Sequence, residues 1–137
     1  MSLLENVLHK GEEMNEEEVE LFIKCYTQIQ SIYNEITALS KKKPNEAVNK
    51  FKLRFINQIL ENANQLLKGN HKPFADFEKF YEDEIPTTSD VTMIFAQYLE
   101  SMEKLHSDNI IWGGDKWCWI IDGKLSRIET IRSSIKI

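Results

Sequence analysis

A chain of 137 residues with 42% apolar and 28% charged residues is long enough to bury one sizeable core. Three prolines and five glycines are too few for an all-β or loop-rich chain, and no apolar run approaches the roughly 18 residues of a membrane span. The net charge of −5 disfavours non-specific nucleic-acid binding, which needs a positive field.

These bounds predict one domain over 1–137, mainly α. An antiparallel helical bundle of two long and two or three shorter helices occupies about 2–106, and a small C-terminal β-hairpin follows over about 110–132. The first residues, MSLLENVLHKGEE, lack a basic start and a small-residue cleavage site, so a cytoplasmic protein is expected. Cys25 and Cys118 lie far apart in sequence and read as reduced, buried thiols, with a single disulfide as the alternative.

In chain order, residues 2–10 predict a short helix with Leu3, Leu4, Val7 and Leu8 on one side, ended by Gly11. Asn15 then caps a long helix to about Ser40. Glu18 stands three residues beyond the cap, and Glu16 to Glu18 complement the positive end of the dipole. Phe22, Cys25, Ile29, Ile32, Ile36 and Leu39 alternate spacings of three and four, a heptad seam with Tyr26 and Tyr33 beside it. The seam is either one face of an intramolecular bundle or a homodimer contact.

Pro44 to Lys68 reads as the central helix, opened by proline and closed by Gly69-Asn70. Ala47, Val48, Phe51, Phe55, Ile56, Ile59, Leu60, Ala63, Leu66 and Leu67 cover about half its circumference. An ordinary surface helix needs a stripe of only about 100°, so several neighbours are expected to cover this one. The short link from Lys41 to Lys43 makes the two long helices an antiparallel hairpin. Lys52 falls inside the arc and snorkels outward, and Asn62 is the place to look for an interhelical polar contact.

The stretch PFADFEKFYEDEI from Pro73 predicts a short helix laying Phe74, Phe77, Phe80 and Tyr81 on the core. Pro86 ends it. Thr87 and Asp90 form a capping box for a helix through His106, with Val91, Ile94, Phe95, Tyr98, Met102 and Leu105 buried. Beyond it, β-branched and aromatic residues are broken by Gly113-Gly114 and Asp122-Gly123. Asp-Gly between apolar runs signals a two-residue hairpin, here 117–121 with 124–131. A shorter strand, Ile110 to Trp112, precedes it. A helix through Leu125, Ile128, Ile131 and Ile135 competes for the last stretch.

No motif specifies a chemistry. Glu103-Lys-Leu-His106 matches the Glu-x-x-His element of carboxylate-bridged di-metal bundles, but no second element exists, because Glu5 and His9 are four apart. No metal or other cofactor is therefore expected. Gly-rich phosphate loops, Cys-x-x-Cys and His-Glu-x-x-His are absent from the sequence. Cys118, between two tryptophans, has no base that spacing can assign to it. The basic interval from Lys41 to Arg54 at the hairpin turn reads as a solvated face that complements a helix C-terminus, with no interleaved aromatic platform, so nucleic acid is not an expected partner.

Two surfaces remain. Asp76, Glu78, Glu82, Asp83 and Glu84 form an acidic rim able to steer onto a basic partner, and Trp112, Trp117 and Trp119 offer large contact area. The reading is a non-enzymatic protein-binding or regulatory protein, in the manner of an immunity or inhibitor protein bound to a basic partner. The alternative is a small enzyme or ligand binder, with a pocket between the helices and the tryptophan hairpin where His or carboxylates converge.

Overall fold

The structure, a computed structural model, describes residues 13–131. Among these residues it contains three α-helices, α1 (Glu16–Lys42), α2 (Lys50–Leu66) and α3 (Thr88–Asp108), and a 3-10 turn at Gly69–His71. Strands β1 (Ile110–Trp112), β2 (Trp117–Ile121) and β3 (Lys124–Glu129) follow. The fold is thus mainly helical with a small antiparallel sheet. The helix expected at 2–10, and Ile135, lie outside the described residues.

Helix α1 begins as its sequence dictates. Asn15 Oδ1 accepts from Glu18 N at 2.8 Å and Glu18 Oε1 accepts from Asn15 N at 3.2 Å, a reciprocal capping box. Helix α3 repeats the device with Thr87 and Asp90. Asn15, Glu18 and Leu21 lie beside Gln65, Leu66 and Lys68, so α1 and α2 run antiparallel. At the other end of α1, Thr88 Oγ1 donates to the Lys43 carbonyl at 2.7 Å, which makes α3 antiparallel to α1 as well.

The packing corrects the expected hierarchy. Helix α1 packs most extensively, against both other helices and the sheet, whereas the 44–68 segment meets α1 and makes fewer contacts with α3. Its seam residues Phe22, Cys25, Ile29 and Ile36 are buried within this chain's own core. Helix α2 is shorter than expected because 44–49 has better partners elsewhere. Val48 N donates to the Pro86 carbonyl at 3.0 Å, Thr88 N to Glu46 at 2.9 Å, and Ser89 N to Pro44 at 3.1 Å, with Ala47 bridged to Thr87. Asn49 takes over the cap, accepting from Lys52 N at 2.8 Å.

The buried arc of α2 is also rotated from the expected one. Leu53, Ile56, Leu60, Ala63 and Leu67 are enclosed, whereas Phe51 is 66% and Phe55 44% exposed. Ala47 and Lys52 are exposed too. The expected arc omits Leu53 and includes both phenylalanines, and the packing reverses both assignments. The rings instead meet each other edge to face at 5.1 Å, with the Arg54 guanidinium over both.

The expected aromatic helix at 73–85 is an irregular loop. Two asparagines of α2 hold its backbone. Asn57 grips Phe80 at both ends of one residue: Nδ2 donates to its carbonyl at 2.8 Å, and Oδ1 accepts from its N–H at 2.9 Å. Asn64 Nδ2 donates to the Glu78 carbonyl at 2.8 Å, and its Oδ1 accepts from Tyr98 Oη at 2.7 Å. A helix of about a dozen residues is marginal by itself, so side chains that bind its backbone groups outcompete it. Asn57 and Asn64, not Asn62, make these contacts. Phe74 and Phe77 still reach the core, edge-on or tilted to the Tyr98 ring at 6.5 Å.

The sheet is an antiparallel meander in the order β1–β2–β3. Asp122 and Gly123 turn the β2–β3 hairpin with φ of 51° and 76°, the left-handed pair that a two-residue hairpin prefers. Strand β3, not a helix, follows. Between Cys118 and Ile120 the register shifts, and Ser126 Oγ fills the irregularity by donating to the Trp119 carbonyl at 2.7 Å. The meander is fastened to the bundle by two backbone bonds, Ile120 N to Asn109 O at 2.7 Å and Asp122 N to Met14 O at 2.9 Å. Both cysteines are free thiols and buried.

Candidate functional site

Where the sheet meets the bundle, α1 and α3 diverge around a cavity of about 430 Å³. Helix α1 supplies one wall through Phe22, Ile23, Tyr26, Thr27 and Gln30, which recur on one flank at helical spacing. Glu103 and His106 of α3 stand opposite, Trp119 forms the floor, and Thr130 and Ile131 form the rim. The volume falls within the range of small-ligand sites.

Aromatic packing sets the positions of the polar groups. Phe22 stacks on Tyr26 and on His106, each at 5.7 Å between centroids. Trp119, only 1% exposed, meets Phe22 and His106 edge-on at 5.0 and 4.9 Å. Two polar pairs cross the cavity. Tyr26 Oη donates to Glu103 Oε1, joining α1 to α3. His106 Nε2 lies 2.7 Å from Thr130 Oγ1, joining α3 to the residue beyond β3.

Burial shifts both titrating groups toward their neutral forms. It lowers the His106 pKa, and the nearby Glu103 carboxylate opposes this only in part. At neutral pH the imidazole is uncharged. The Tyr26 hydroxyl is pushed well up by burial first, then by its hydrogen bond to Glu103 and by that carboxylate's charge. It remains a donor throughout the physiological range.

The Glu-x-x-His spacing thus brings Glu103 and His106 to one cavity, as residues three apart on a helix do. Among the described residues no group of three or more His, Cys, Asp or Glu side chains is placed to hold a metal. Tyr26 shows in the sequence only as an aromatic beside the heptad seam. Thr130 carries no signal there, because its partner arrives through the fold of the sheet.

The other predicted surfaces are distributed differently. Trp119 is a core residue, Trp117 is half-buried, and Trp112 is 53% exposed, with the last two edge-on at 5.8 Å. Asp76, Glu78, Glu82, Asp83 and Glu84 are all exposed on the 73–86 loop, where Lys72 reaches Glu78 at 3.6 Å. Tyr81 beside them is 63% exposed, with Lys79 Nζ 6.0 Å from its ring. The acidic loop and the cavity share no lining residue.

A second buried histidine, His71, lies on the far side of α3's end, its Nε2 2.8 Å from Asp108 Oδ2. It ties the 3-10 turn to α3. Among the described residues no helix is long and apolar enough to cross a membrane. No protein-family model, curated protein or solved structure matches the chain.

Proposed function

We propose that this protein binds a small molecule in the cavity between α1, α3 and the sheet, acting by recognition and not by catalysis. The observation that supports this reading is the convergence of the Tyr26–Glu103 and His106–Thr130 pairs over the Trp119 floor. Phe22, Ile23 and Ile131 suit a compact apolar body, and the two pairs suit one polar group on it. Among the described residues the lining contains no lysine or arginine, and His106 is held neutral. With the Glu103 carboxylate in the lining, a neutral or cationic polar group suits the cavity better than an anion does. The polar groups already bind one another, an arrangement that favours holding a ligand over transferring its protons.

One aromatic scaffold carrying three charges tests this directly. Benzylamine and benzyl alcohol should raise the melting temperature and shift the NMR signals of Tyr26 and His106, and benzoate should not. Thr27→Trp, at an exposed lining position, should fill the cavity and remove the response. Equal responses to all three compounds, or an undiminished response in the filled variant, would overturn the reading.

A second reading, a basic protein partner on the acidic loop, is favoured by the way Asn57 and Asn64 hold that loop while Glu82, Asp83 and Glu84 stay exposed. A rigid acidic strip speeds association with a basic surface in a salt-dependent way. Capture from the native host, compared with the variant in which these three acids are lysine, should show a partner lost on charge reversal. A partner retained by the reversed variant would exclude this surface.

A further inference from the structure

The rotation of α2 uncovers a surface that its sequence pattern conceals. Phe51 and Phe55 project into solvent one turn apart, 66% and 44% exposed, with the Arg54 guanidinium 5.6 and 5.3 Å from their centroids. Around them the chain concentrates its cations. Between positions 41 and 54 stand Lys41, Lys42, Lys43, Lys50, Lys52 and Arg54, all exposed, against a single carboxylate, Glu46. Glu46 is itself 3.8 Å from Lys43. Within a chain of net charge −5, the stretch 41–54 is therefore locally cationic. The acidic loop is held by Asn57, which at 3.6 residues per turn lies about 160° around the helix from Phe55, and its end returns to just before α2, where the Pro86 carbonyl accepts from Val48 N.

From this juxtaposition we propose that the Phe51–Arg54–Phe55 face, with the lysines flanking it, binds single-stranded nucleic acid. Unpaired bases stack on the two rings and the guanidinium plane, and the lysines neutralise the adjoining phosphates. Aromatic faces inside a positive field are what sequence-tolerant single-strand binding requires, since every base has a π face and every linkage a charge. A partner helix is a poorer match. Its docking needs an apolar ridge, and the outward face of α2 that begins with Phe51 and Phe55 continues as Gln58 and Asn62. Two rings stand there with no ridge behind them.

The test is fluorescence anisotropy of the full chain with labelled oligo-dT and oligo-U of about 12 nucleotides, within the span of known single-strand sites. Binding should weaken steeply as salt rises. Phe51→Ala with Phe55→Ala should weaken it about tenfold or more, and Arg54→Lys, which keeps the charge but loses the plane, should weaken it less. The replaced rings are exposed and alanine favours a helix, so circular dichroism should show the fold unchanged. Thr27→Trp, in the separate cavity, should bind the oligonucleotides as wild type does.

The proposal is overturned by the absence of salt-sensitive binding to either oligonucleotide, or by undiminished binding in the double alanine variant. It is equally overturned by preference for a duplex of the same length, or by binding to poly-glutamate with none to the oligonucleotides, which would make this face a site for acidic protein.

Discussion

Two tyrosine hydroxyls cross between helices in this protein, in opposite settings. Tyr98 of α3 donates to Asn64 of α2, and Phe74 and Phe77 of the irregular loop lie over its ring. Tyr26 of α1 donates to Glu103 of α3 at the wall of an open cavity. The difference follows from the acceptor. An amide both accepts and donates, so Asn64 passes the bond on to the Glu78 carbonyl and draws the loop down over the site. An ionised carboxylate only accepts. Glu103 offers no donor to a covering backbone, and its side of the bundle keeps a polar, accessible wall. Both crossings join two helices, one beneath the loop and the other beside the cavity.

The largest test of this contrast is truncation of the two sides. Tyr98 is fully enclosed, so Tyr98→Ala should lose about 3–5 kcal/mol, read as a lower urea midpoint. Ile23→Ala at the cavity wall, where the side chain is exposed, should change stability by no more than about 0.5 kcal/mol. Similar losses at both positions would erase the distinction.

A smaller effect separates the two acceptors. Asn64→Ala leaves the Tyr98 hydroxyl and the Glu78 carbonyl without their partner and should lose about 1–3 kcal/mol. Glu103→Gln should lose less than about 1 kcal/mol, because its site is reached by water. It should also lower the Tyr26 pKa toward the ordinary value, since the carboxylate's charge disappears while the amide oxygen can still accept the bond, as tyrosinate absorbance would show. An unchanged Tyr26 titration would mean that burial alone holds the hydroxyl.

The smallest expected effect is a pH dependence from His106. Its folded pKa lies below the unfolded value of about 6.5. Between the two the unfolded chain binds more protons, so stability falls as pH drops through that window and levels off below the folded pKa. A single imidazole can contribute no more than about 1.4 kcal/mol for each tenfold loss of proton affinity on folding. Urea unfolding above and below this window should show a loss in wild type that shrinks in His106→Gln. Identical pH dependence in both would show that other groups dominate.

Much of the fold was legible from local chemistry. The Asn15–Glu18 and Thr87–Asp90 boxes need only residues three apart, and the Asp122-Gly123 hairpin needs only two residues with positive φ. Each was readable because both partners lie within one turn of chain. Helices α1 and α3 and the β2–β3 hairpin follow from signals of that kind, whereas the start of α2 does not.

Tertiary structure decided the rest, because the deciding partners are distant in sequence. Helix α2 carries apolar residues around half its circumference, and only the placement of α1 and the loop selects Leu53, Ile56 and Leu60 for the core. Phe51 and Phe55 are left outside by that choice. The segment 73–85 has helical spacing, yet Asn57 and Asn64 take its backbone bonds, and no pattern within the segment announces them. The cavity is the extreme case. Glu103 and His106 were visible as a spaced pair, but Tyr26 comes from another helix and Thr130 from beyond the last strand. Periodicity fixes which residues share a face of one element, whereas a site belongs to the space between elements and exists only once they have packed.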